Sequence, residues 1–297
     1  MATQLKRAMI RKAVRFFGML AVFVTLSYLF LFYTNNRAVS APDSKTIAAG
    51  REKAIQWLVN NQSDVLAEVS PMLWWILSET ERRYPDPRLT SLLQRYFQRY
   101  PTIRSGLWGP LFGERQMADI KVGWIADLPY YNQHFIYALH CAEGLARESE
   151  IIMRQNSASY CYHPIVFFRP ACTTHQLIGL HFLRQRECTN VDTVVPRLQQ
   201  DIVRQLTWDP RVVDIYLQRV MALRLTGAVN EIKPVWIRRI LEHQRSDGGW
   251  ANFVPLIPLG TEVAIGFSPK LISIGSATSS FHATVQGLYL LASMSGT

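Results

Sequence analysis

Cysteine pairs, strand-like alternation and acidic residues are all scarce in this sequence, and each shortage excludes something. The four cysteines, Cys141, Cys161, Cys172 and Cys188, contain no Cys-x-x-Cys pair, which argues against a structural zinc knuckle. Alternating apolar and polar runs are confined to Val254–Ile274, where the Pro and Gly residues read as loop, so the chain reads as all-α. Acidic residues number 22 against 32 Lys and Arg, a formal charge of +10. Five of the basic residues (Lys6, Arg7, Arg11, Lys12, Arg15) precede one apolar run. The rest are dispersed Arg on helical segments, the pattern of solvated faces, so nucleic acid is not an expected partner. With 48% hydrophobic and 18% charged residues over 297 positions, the chain is globular and long enough for a full-sized core.

What is present begins with that apolar run. Phe16–Tyr33 is free of charge and, at about 1.5 Å per residue, spans about 27 Å, enough for a bilayer core. The basic tail, residues 1–15, stays cytosolic by the positive-inside rule, which sends the C-terminal domain across the membrane into a periplasmic, lumenal or extracellular space. Val39-Ser40-Ala41 resembles a signal-peptide cleavage site, but Pro42 blocks cutting there, and the expectation is an uncleaved anchor at 16–33. Residues 34–44 read as a polar linker and 45–297 as the exported domain. Export permits two disulfides; Cys161 with Cys172 spans one loop, and free buried thiols are the alternative. The membrane is the one partner this pattern names, and no protein partner is readable.

From Lys45 onward apolar residues recur with helical period. Helices are expected at Lys45–Asn60, Val65–Arg83, Arg88–Tyr100, Tyr131–Arg147, Cys172–Arg186, Val191–Leu206, Arg211–Leu225, Ile232–Gln244 and Ser279–Met294, with a long loop over Thr102–Pro129. They repeat. Aligning YNQHFIYALHCA (131–142) with CTTHQLIGLHFL (172–183) sets His134 on His175; Asp214 and His282 fall in the same slot of two later helices. Spacing of about 40 residues fits stacked helical hairpins.

The segment His243–Trp250, HQRSDGGW, is similar to the Gln-x-x-Asp-Gly-Gly-Trp motif of the terpenoid-cyclase and protein-prenyltransferase superfamily. That resemblance implies an α/α toroid, with inner and outer helix rings and a funnel at one end. It also implies that Gln244, Asp247 and Trp250 tie neighbouring hairpins together. The Asp-x-Asp-Asp acid cluster and the Asp-Asp-x-x-Asp magnesium motif of its enzymes are absent, so cyclase chemistry has no catalytic residue here. The fold is shared with lyases, glycosidases and lanthionine cyclases, and fold alone does not decide function.

In such a toroid, His134, His175, Asp214 and His282 would face one funnel. Three imidazoles and a carboxylate suit Zn²⁺ or another divalent transition metal, and equally suit acid–base catalysis without metal or plain helix capping. Tyr130–His134 (YYNQH) resembles the Asn–His cluster with nearby Tyr of toroid-fold polysaccharide lyases, which assigns Asn132 and Tyr131 to substrate, with Arg169 placed to hold an anionic group. Trp74 is a candidate pocket wall for a sugar or an isoprenoid. The expectation is therefore an enzyme on an envelope- or membrane-associated substrate, carbohydrate or isoprenoid-like, with a non-catalytic toroid scaffold or binding domain as the alternative.

Overall fold

The computed structural model describes residues 2–164 and 169–294; the side chains of residues 1–9 and 13, Lys6 and Arg7 among them, lie outside the description, as does the end of the expected domain at 297. The chain is mostly helical. The first helix, α1 (Ala2–Asn36), carries the apolar run, and Ile10–Asn36 is long and apolar enough to cross a membrane. It runs two residues past Thr34, the expected start of the linker, and Asn35 is fully buried against the body that follows.

The body is built from α2 (Ser44–Asn60), α3 (Pro71–Arg83), α4 (Pro87–Arg99), α5 (Tyr130–His140), α6 (Cys172–Gln185), α7 (Val195–Trp208), α8 (Asp214–Leu225), α9 (Pro234–Glu242) and α10 (Phe281–Ala292), with short helical turns between them. Local chemistry sets the boundaries. The amide of Thr46 donates to Asp43 at 2.7 Å to start α2, and that of Ala283 donates to Ser280 at 3.2 Å to start α10. Proline occupies the first turn of α3, α4, α7 and α9, where its missing N–H costs nothing. The expected helix Tyr131–Arg147 stops early because Cys141 takes a left-handed conformation (φ 50°), and Glu143–Glu148 resumes separately. Val65–Arg83 is likewise divided, into Gln62–Ala67 and α3.

One expectation is corrected outright. Val254–Ile274 is not loop but most of an antiparallel sheet, β1 (Val254–Pro258), β2 (Ala264–Ser268) and β3 (Leu271–Gly275), in that order. The prolines that argued against it, Pro255 and Pro258, sit on the edge strand β1, where an outward position needs no donor.

Helices α3, α5, α6, α8 and α10 gather together. Helix α6 packs along α5 and α8, and α10 packs along α8 and α3; Trp75 of α3 meets Phe182 of α6 edge to face at 5.0 Å. Behind them, α2 packs on α10 and α7 on α6 and α8. Between the layers lies a core in which Trp74 stacks on Tyr96 with centroids 4.0 Å apart, and Trp236 and Trp250 are almost wholly enclosed. Two disulfides, Cys141–Cys188 and Cys161–Cys172, join short connections to these helices.

Candidate functional site

Five helix starts surround one cavity of about 300 Å³. Helical periodicity sets its tiers. Met72, Tyr131, His175 and His282 line the level nearer the helix starts, and Ile76, Phe135, Ile178 and Gln286, three or four residues on, line the level beneath. Helix α8 contributes Gln218 and Met221, and Glu68 and Ser70 stand at the entry to α3.

Two polar groups in this cavity are organised for chemistry. The His175 ring stacks on Tyr131, centroids 4.2 Å apart and planes 20° apart. The Gln218 amide, 3.1 Å from His175 Nε2, donates to it in this orientation, which leaves the ring proton on Nδ1. Burial, with a smaller push from His282, lowers the His175 pKa to about 4, so the ring is neutral at ordinary pH. Opposite it, His282 Nδ1 lies 3.5 Å from Asp214 Oδ2, and the His282 side chain is 45% exposed to the opening. Burial raises the Asp214 carboxyl above the usual carboxylate range, against the pull of His282 and an N–H from Ile215. Beneath both, Gln286 is 1% exposed, and its carbonyl Oε1 has no hydrogen-bond partner.

Of the residues singled out in the sequence, Tyr131, Asn132, His175 and His282 line the cavity, and Asp214 stands directly behind His282. His134 does not reach it. Its ring is fully buried between α5 and α6, where Nε2 bonds Asn156 Oδ1 at 2.9 Å and a Cβ at Gly179 would fall on the imidazole. Burial holds its pKa down at about 4. At 100° per residue, position 134 is rotated well away from the face shared by Tyr131 and Phe135. Trp74 is core, its indole N–H donating to Glu68 O at 2.8 Å, and Arg169 donates to Tyr160 O at 3.1 Å outside the cavity.

The expected metal set of His134, His175, Asp214 and His282 is accordingly not assembled. Among the described residues no three His, Cys, Asp or Glu side chains gather to hold an ion. In the Gln-x-x-Asp-Gly-Gly-Trp segment, Gln244 donates to Gly50 O of α2 at 2.7 Å. Asp247 accepts from Gly249 N and Ser279 Oγ, and Trp250 Nε1 donates to Ile240 O at 2.7 Å. Gly248, at φ 96°, makes this turn and lies against Lys53 O too closely for any Cβ.

Four polar cavity residues escaped the sequence reading: Glu68, Ser70, Gln218 and Gln286. The signal for two of them was available, since Gln218 follows Asp214 by four residues and Gln286 follows His282 by four, on the same helix face. A second buried polar cluster also escaped it. Asp209 accepts from Arg211 at 2.6 and 2.7 Å and from Arg219 at 2.7 Å, with Arg219 wholly enclosed. Burial alone would raise the Asp209 pKa, but Arg219 and Arg211 hold it below its ordinary value. In comparisons with known proteins, no family model, no curated protein and no solved structure matches this chain.

Proposed function

We propose that this chain is a membrane-anchored, exported enzyme of α/α-toroid architecture, whose cavity carries out acid–base chemistry on a membrane- or envelope-associated substrate, carbohydrate or isoprenoid-like. The toroid reading draws support from five helices that bring their N-terminal halves to one cavity, and from Gln244, which links the last hairpin back to α2 near the start of the body. The retained anchor draws support from Asn35. Its amide donates to Leu206 O at 2.6 Å, its side-chain oxygen accepts from Tyr216 at 2.8 Å and Arg239 at 3.0 Å, and its carbonyl accepts from Trp236 at 3.2 Å. Loss of the segment by cleavage after Ala41 would take Asn35 from three donors, Tyr216, Arg239 and Trp236, and from the acceptor Leu206 O. Two disulfides fit an oxidising compartment, which agrees with the basic tail remaining cytosolic.

The observation that carries the catalytic reading is the pair His282 and Gln286, one turn apart on α10 in the cavity lining, with Gln286 Oε1 a buried acceptor that has no partner. An unmade hydrogen bond of this kind costs about 1–3 kcal/mol, and a ligand hydroxyl or amide placed there recovers it. Such a ligand lies beside His282. With Nδ1 turned to Asp214, His282 keeps Nε2 for the substrate, and Asp214 stabilises the imidazolium formed when that nitrogen takes a proton. His175, neutral and oriented by Gln218 and Tyr131, is a polarising partner rather than the base, because a pKa of about 4 leaves it a weak proton acceptor.

The test is a comparison of envelope lipid and glycan extracts, by mass spectrometry, from cells that carry the wild-type chain, His282→Ala or Gln286→Leu as their sole copy. The expected result is accumulation of the same species with both variants, while each unfolds within about 2 °C of wild type. Extracts identical to wild type from folded variants overturn catalysis and leave a non-catalytic binding body.

A further inference from the structure

We infer that the cavity-bearing end of the body lies against the bilayer and that the cavity takes its ligand from the membrane, an amphiphile with an uncharged, hydroxyl-bearing head. This rests on the anchored reading of α1 and deepens the cavity reading by naming the source of its ligand.

The direction is set by the contact between α1 and α7. Leu206 O and Thr207 O accept from Asn35 and Asn36, at the body end of α1. Two residues on, the Trp208 ring meets Phe32 at 4.9 Å and its carbonyl accepts from Tyr28 at 2.8 Å, inside the apolar run. Travel along α7 toward its C-terminus is therefore travel toward the membrane segment. The chain then turns through Asp209–Val213 into α8, whose first half lines the cavity. The cavity end and the membrane segment are on the same side.

Exposed apolar side chains follow the same polarity. Val69, between the cavity residues Glu68 and Ser70, Trp208 at the end of α7, and Ile272 and Ile274 lie toward this end, each 50–68% exposed. The last two belong to the sheet, which is pinned here by Arg211, whose guanidinium donates to Ser268 O at 2.7 Å. Val229, 43% exposed, lies in the connection that leads out of α8 at the opposite end. Monomeric soluble proteins do not concentrate apolar surface at one end without a partner, and Trp with aliphatic residues at the foot of a membrane helix suits the interfacial zone. Exposed Lys270, in the turn between β2 and β3, is placed beside Ile272 and Ile274 to meet lipid phosphates.

The lining gives the head group. It offers Glu68, Ser70, Asn132, His175, Gln218, His282 and Gln286 but neither lysine nor arginine, so nothing there neutralises a diphosphate, whereas hydroxyls have several partners. At about 300 Å³ the cavity encloses one part of a lipid, not the whole molecule.

Site-directed spin labelling of the full chain tests this, because all four native cysteines are in disulfides and an introduced thiol is labelled alone. Nitroxides at Ile272→Cys, Val69→Cys and Val229→Cys are compared in vesicles of equal phosphatidylcholine and phosphatidylglycerol with diacylglycerol added as the uncharged, hydroxyl-bearing amphiphile, and with oxygen and a water-soluble nickel chelate as relaxants. A benzophenone on Met72→Cys reports the cavity. The expected result is an oxygen-to-nickel accessibility ratio about tenfold higher at 272 and 69 than at 229, and diacylglycerol crosslinks from position 72. Equal ratios at all three positions in folded protein overturn the orientation, and the absence of lipid crosslinks from 72 overturns membrane entry. Neither readout depends on His282, so loss of this inference and loss of the catalytic reading are told apart.

Discussion

Two polar clusters lie within ten residues of each other, and they are built on opposite principles. Around Asp209 every charge is answered: two guanidinium groups share one carboxylate, and Arg219 adds Gln205 Oε1 and Pro170 O as acceptors. Around Asp214 little is answered: its contact with His282 Nδ1 is a long 3.5 Å, His282 is half open, and Gln286 Oε1 beneath it has no partner. A saturated buried cluster has nothing left to offer a ligand and serves to hold the turn between α7 and α8. An unsaturated one costs stability and is retained where something binds. Variants that exchange these behaviours would break the comparison.

The largest expected effect is Asp209→Ala, which takes the carboxylate from two buried guanidinium groups and should cost about 3–5 kcal/mol in denaturant unfolding, where Asp214→Asn should cost less than about 1. Next is acid sensitivity. His134, with its pKa lowered to about 4 by burial, is neutral when folded, while the unfolded chain takes up a proton near pH 6.5. Its stabilising contribution is complete above about pH 6.5 and is lost as pH falls toward 4, on the order of 3 kcal/mol in all. Unfolding measured across that range should show a slope that His134→Asn reduces, while His175 and His181, lowered to about 4 in the same way, supply the remainder.

Asn35→Ala removes a side chain bonded to Leu206, Tyr216 and Arg239 and should lower stability by about 1–3 kcal/mol, while the chain still partitions with membranes on fractionation. The smallest stability change is expected for Gln286→Leu. Replacing an unpaired acceptor by an apolar group of similar size should leave the unliganded protein within about 1 kcal/mol of wild type, or slightly more stable, while abolishing function.

Sequence patterns revealed the elements whose signals are local. The apolar first helix is a continuous run, most helix boundaries are marked by Pro, Asp or Ser caps, and Cys161–Cys172 joins residues 11 apart. Cys141–Cys188, 47 residues apart, depends on α5 and α6 lying side by side and has no local mark. The sheet was hidden because Pro255 and Pro258 are tolerated only on an edge, and an edge is a property of the assembled sheet. At the cavity, aligning the polar repeats found His175 and His282 but carried His134 along, since a repeat transmits residue type and not helix phase. The Asp209 cluster joins α7, α8 and the turn between them, a closure that periodicity does not contain.

The contrast between the saturated and unsaturated clusters is tested most directly by measuring unfolding free energy and cellular function together for Asp214→Asn and Asp209→Ala as sole copies. The account predicts that Asp214→Asn folds like wild type and fails to function, whereas Asp209→Ala loses several kcal/mol of stability. A functional Asp214→Asn, or one that unfolds as readily as Asp209→Ala, would contradict it.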